Sequence, residues 1–113
     1  MYSRLRVRTR GDSRYRWIGY VYDISASGMR FELDEAVRPG TRLDVHITLP
    51  ARRGDSSVTC PTPITFRAGG TVVRTHDDEP GPIRMGMAFD QFASDHDRKR
   101  LIGYVQDATR SAA

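Results

Sequence analysis

Asp23-Ile-Ser25-Ala-Ser-Gly28 stands between two β-like runs, Trp17-Ile-Gly-Tyr-Val-Tyr22 before it and Met29-Arg-Phe-Glu-Leu33 after it. The first run is aromatic and β-branched. The second alternates apolar and polar residues, the period of a strand with one buried face. A polar hexapeptide between two strands reads as a tight connection. Asp and Ser side chains accept hydrogen bonds from nearby backbone N–H groups, and Gly permits a positive φ or a close backbone approach. Such a loop can satisfy its own backbone or hold the edge of a ligand, and both uses are open.

The segments outward of it keep the strand period. Tyr2 to Arg10 alternates strictly, with arginines at even positions and Leu5, Val7 and Thr9 at odd ones, so one side is basic and the other faces a core. Gly11-Asp-Ser13 turns this run back into Arg14 to Tyr22, an antiparallel hairpin. Downstream, Val37-Arg-Pro-Gly40 is a turn, and Thr41 to Leu49 puts Leu43, Val45, Ile47 and Leu49 on one side. Pro50 to Thr59 reads as a flexible loop whose Arg52-Arg53 pair is solvated. Ile64 to Ala68, Gly69-Gly70 and Thr71 to Thr75 form either a hairpin or one strand with a bulge. His76 to Pro82 is a polar loop, and Arg84 to Phe89 is the last strand.

The tail changes period. Ser94 followed by Asp97 resembles a capping box, and Leu101, Val105 and Ala108 share a helical face with Ile102 beside them. Six or seven strands over about 2–89 therefore precede one helix over about 95–109. The expected fold is all-β with one C-terminal helix, a small antiparallel barrel with the helix packed on its side or over one end. The 113 residues suit a single domain, 1–113.

Composition narrows the chemistry. Seventeen of the eighteen basic residues are Arg, and Arg4, Arg6, Arg8, Arg10, Arg14 and Arg16 fall in the first sixteen positions against Asp12 alone. Guanidinium binds guanine edges and phosphates bidentately and stacks on flat rings, which points to an anionic, nucleotide-like partner. A solvated face or a charge-protected edge strand accounts for the same arginines. No window is long and apolar enough to cross a bilayer, no secretion signal follows Met1, and Cys60 is the only cysteine. The expectation is a cytoplasmic protein without an internal disulfide.

Catalysis finds little support. His46, His76 and His96 fall in a strand, a loop and a helix start, and none pairs with a nucleophile at a recognisable spacing. Cys60 reads as a small, partly buried hydrophobe. His76-Asp-Asp-Glu79 contains metal-ligating residue types, but in a stretch of ordinary loop composition. The chain is expected to be no enzyme and to hold no metal or cofactor.

Asp23-x-Ser25-x-x-Gly28 resembles the (Asp/Asn)-x-Ser-x-x-Gly motif of the PilZ domains, which bind the bacterial second messenger cyclic di-GMP. The resemblance continues in Gly28-Met-Arg-Phe, in Pro39-Gly-Thr before an alternating strand, in Gly70-Thr-Val-Val-Arg74 and in Met85-Gly86-Met-Ala-Phe89, which is similar to the family's late Gly-Φ-x-Phe strand. It spans about Arg14 to Val105. It implies a six-stranded antiparallel barrel with a C-terminal helix, and a ligand on the outer barrel surface. Asp23 and Ser25 would hydrogen-bond a guanine edge, and Gly28 would let the backbone approach the ligand.

The family's second motif is Arg-x-x-x-Arg near the N-terminus. Arg4-Leu-Arg-Val-Arg8 fits that spacing, as do Arg6 with Arg10 and Arg10 with Arg14. In the family the pair precedes the first strand, whereas Arg4 to Arg10 here reads as that strand itself. The implied function is a cyclic di-GMP sensor using Asp23, Ser25, Gly28, Arg4 and Arg8, which passes its signal to a protein partner not identified by the sequence. The alternatives are a degenerate PilZ-like interaction module that binds no nucleotide and, last, a small barrel that binds nucleic acid.

Overall fold

The computed structural model describes residues 3–49, 64–76 and 80–112. Six strands, β1 (Ser3–Thr9), β2 (Trp17–Ile24), β3 (Gly28–Leu33), β4 (Arg42–Leu49), β5 (Ile64–His76) and β6 (Ile83–Phe92), precede helix α1 (Asp95–Ala112). All pairings are antiparallel, and the sheet closes as a barrel in the order β1-β2-β3-β6-β5-β4. Closure leaves no unpaired edge, so the arginines of β1 are not there to protect one.

Alternation fixes what faces inward. Leu5 and Val7 of β1, Phe31 and Leu33 of β3, all four odd-numbered apolar residues of β4, and Phe66 and Val72 of β5 are buried in one cluster. The even-numbered arginines of β1 point outward, as the period requires. The turn after β1 carries Gly11 at φ 93, a conformation open to glycine without strain.

Ile64 to Thr75 is one strand rather than a hairpin, with register shifts at Gly69/Gly70 and at Val72/Arg74. The first shift leaves Asp90 of β6 unpaired in the ladder, and its carboxylate receives Arg10 at 2.6 Å and the Thr71 hydroxyl at 3.4 Å. Arg10 crosses the outer surface of β5 to reach it. A Cβ at Gly69 would lie 2.8 Å from the Arg10 guanidinium, so the glycine keeps that path clear.

Helix α1 lies against β5 and touches β6. Ser94 Oγ caps it by accepting from the Asp97 N–H at 3.1 Å, and Leu101 enters the barrel core with no exposed surface. No helix among the described residues is long and apolar enough to cross a membrane. The stretch from Pro50 to Thr59, Cys60 and the acidic residues 77–79 lie outside the described residues.

Candidate functional site

The hexapeptide Asp23–Gly28 is less of a loop than its composition suggests. β2 continues through Asp23 and Ile24, which pair with Arg30 and Met29, and β3 begins at Gly28. Only Ser25, Ala26 and Ser27 connect the strands. Ser25 N–H donates to Gly28 O at 2.9 Å, and Phe89 N–H of β6 donates to Ser27 O at 2.9 Å, which ties the corner to a third strand. The Ser25 hydroxyl accepts from Ser27 N–H at 3.3 Å and lies 3.4 Å from Gly28 O. Hydrogen bonds within the corner and to β6 hold it in place.

Gly28 is not in the positive-φ region. Its need is proximity, because a Cβ there would stand 2.3 Å from the Met87 carbonyl oxygen on β6. The missing side chain serves the approach of β3 to β6.

Two bulges shape the outer surface next to this corner. Val21 pairs with Phe31 and Asp23 with Arg30, so Tyr22 is the extra residue on β2. Val72 pairs with Met87 and Arg74 with Gly86, so Val73 is the extra residue on β5. A bulge turns two successive side chains toward the same side of a sheet. Here Tyr22 and Asp23 are both exposed, and so are Val73 and Arg74. Between the bulged strands one outward row runs Asp23–Arg30–Gly86–Arg74 across β2, β3, β6 and β5.

The result is a groove of about 550 Å³. Tyr22 and Val73 stand on either side, and Asp23, Arg30, Arg74 and His76 supply polar groups. Gly86 sits in the middle of the row with the two arginines flanking it, their Cα atoms about 10 Å apart by strand spacing. A Cβ at Gly86 would meet nothing nearer than 3.9 Å, so the fold itself does not demand this glycine. Asp23 and Arg30 form an ion pair at 4.0 Å with side chains 64% and 68% exposed, too open to hold each other firmly. Both remain available to a ligand.

Asp23, Ser25 and Gly28 thus come together on one groove; Arg4 and Arg8 do not line it. Ser3 pairs with Val21 and Arg4 with Tyr20, so Arg4 lies three residues, about 10 Å, short of Asp23 along the hairpin. Arg8 lies past the Val7–Trp17 pair, about 20 Å from Asp23. It donates to Asp44 at 3.3 Å and stacks 5.0 Å from the Tyr15 ring centre. Arg30 and Gly86 escaped the sequence reading as site residues, and Arg74 reads there either as a phosphate contact or as a surface arginine ending a strand, the second being preferred. The signal that could have found them is their placement opposite one another, which depends on strand order and bulges.

Among the described residues no group of three or more His, Cys, Asp or Glu side chains is placed to hold a metal. His46 lies apart from the groove on β4. Its pKa is held below the ordinary 6.5 by burial, then by Arg67 and Arg6, with Asp97 opposing.

The sequence profile of the PilZ domain matches residues 1–107. None of the curated proteins matches the chain. Among solved structures, that of the Bacillus subtilis inhibitor of motility (MotI/DgrA) superposes with a TM-score of 0.72 at 16% identity. The superposition covers 98% of this chain and 48% of that one, so the chain spans about half the length of that protein. At this identity the likeness is one of fold.

Proposed function

The chain belongs to the PilZ domain family, and from that membership we propose that it is a non-catalytic, cytoplasmic sensor that binds cyclic di-GMP in the groove beside Asp23. The observation that carries the reading is the row Asp23–Arg30–Gly86–Arg74. A carboxylate accepts from the N–H donors on the Watson–Crick edge of guanine, and guanidinium reaches O6 and N7 or a phosphate. Gly86 leaves room for a flat ring or a phosphate between two cations. Tyr22, 37% exposed, and Val73, 60% exposed, offer apolar sides to a purine. The two arginines that line the groove, Arg30 and Arg74, suit a ligand with two phosphates.

Ser25 and Gly28 set the corner on which the ligand rests, and Arg4 is the β1 arginine nearest to it. Arg8 enters the proposal only as part of the arginine-bearing strand, since its guanidinium already serves Asp44 and Tyr15. One bidentate Arg–guanine contact is worth about 1–3 kcal/mol. A micromolar ligand is held by about 8 kcal/mol, so two such contacts decide whether the affinity is physiological. The signal would pass to a protein partner; the fold relative named above is an inhibitor of motility, which makes a protein target a natural form of output.

A second reading, a PilZ interaction module without nucleotide, draws on the Ser25 hydroxyl, which is already engaged within its own turn. Variants separate the two. Under the sensor reading Asp23→Ala and Arg74→Ala each weaken cyclic di-GMP binding more than about tenfold, one bidentate contact or more. Equal binding by both variants and the parent chain would remove the groove from the function.

A further inference from the structure

The outer face of β2, which meets the groove at Tyr22, carries an interaction surface. On β2, Ile18, Tyr20 and Tyr22 point outward in succession and are 60%, 50% and 37% exposed. They form an apolar stripe about 13 Å long, on a side of the barrel that α1 does not cover. Single exposed apolar residues need no explanation, but three in line on one strand do.

The borders of the stripe carry opposite charges. On the β1 side Arg6 stands opposite Ile18 and Arg4 opposite Tyr20. On the β3 side Glu32 stands opposite Tyr20, and Asp34 follows β3 toward the Ile18 end. Among the described residues none of these four charged side chains has an ion-pair partner. An acidic peptide would meet Glu32 and Asp34, and a nucleic acid backbone would be repelled by the same pair. The surface that complements a basic border, an apolar stripe and an acidic border is the same surface turned over.

We propose that this face joins two copies of the chain in a symmetric dimer. A two-fold axis running along β2 in the plane of contact lays stripe on stripe. It also sets Arg4 and Arg6 of each copy over Glu32 and Asp34 of the other, the self-complementary arrangement of an isologous interface. The barrel curves away on both sides of β2, and long Arg and Glu side chains span the gap that curvature leaves. The stripe is smaller than the about 800 Å² per partner of a standard interface, so the dimer is a weak one. The stripe shares Tyr22 with the wall of the groove, so association is measured without ligand.

Sedimentation velocity of the 113-residue chain without ligand, over a micromolar concentration series, tests it. The parent chain shifts from monomer to dimer as concentration rises. Arg4→Glu and Glu32→Arg each weaken association more than about tenfold, because each sets like charges opposite one another. The double variant Arg4→Glu/Glu32→Arg restores it, since the exchanged charges again face their opposites. Ile18→Ser abolishes association, and its far-UV circular dichroism stays that of the parent. A monomer at every concentration overturns the proposal and leaves the face to another partner. A dimer indifferent to these substitutions, or one not restored by the double exchange, overturns it as well.

Discussion

Gly28 and Gly86 lie on neighbouring strands and have opposite reasons to be glycine. At Gly28 a methyl group would be driven into the Met87 carbonyl, so Gly28→Ala is expected to cost about 1–3 kcal/mol, the range of an overpacked site. Thermal or urea unfolding measures it. At Gly86 a Cβ would make only ordinary van der Waals contact with Val73 and Arg74, at 3.9 and 4.0 Å, so Gly86→Leu should change stability by about 0.5 kcal/mol or less, as surface substitutions do. Ligand binding should instead fall more than tenfold, read by the same titration as the other variants. Both glycines were visible in the chain, within segments that resemble family motifs. Their different duties were not, because each is set by what the adjacent strand brings near, and no local pattern reports that. Asp44 shows the same limit from the other side. Its carboxylate serves both Arg8 and Arg10, and an alternating strand says nothing of such a convergence. Asp44→Ala takes the carboxylate from Arg8 and leaves Arg10 with Asp90 alone, and is expected to lower stability by about 1 kcal/mol.

Elements were the most legible level. Strict alternation named Leu5 and Val7 of β1 and the four apolar residues of β4 as buried, since a period of two leaves one face for the core, whereas Thr9 at the end of β1 is only partly buried. The terminal helix and its Ser94 cap followed from a change of period and from hydrogen-bond chemistry. Ser94→Ala should cost about 1 kcal/mol. Leu101→Ala, which empties the helix's anchor in the barrel core, should cost about 2–5 kcal/mol. Comparing the two melting curves shows whether α1 is held mainly by its cap or by its core contact. The bulges at Tyr22 and Val73 left no readable mark, although they create the groove. A bulge is a property of two paired strands, and the register was not available from either alone. For that reason the β1 arginines looked like a clamp for Asp23, whereas the pairing of Ser3 with Val21 spreads them along the hairpin away from it.

For the whole molecule, two charged features have consequences in solution. His46 is pressed toward its neutral form by burial and by Arg67 and Arg6. Its folded-state pKa therefore lies below the unfolded value of 6.5, and the unfolded chain binds more protons between the two. Stability is full above 6.5 and declines as pH falls from there toward the folded value. His46→Gln should flatten that decline, which denaturation at a series of pH values would show. The second feature is the groove, a guanidinium-flanked depression on a closed barrel that we propose takes cyclic di-GMP. Calorimetric titration of the folded chain with cyclic di-GMP at low salt tests this most directly. The account predicts saturable heat that weakens in Arg30→Ala and Gly86→Leu and persists in Arg8→Ala. A parent chain that stays folded and gives no heat at high micromolar ligand would contradict it.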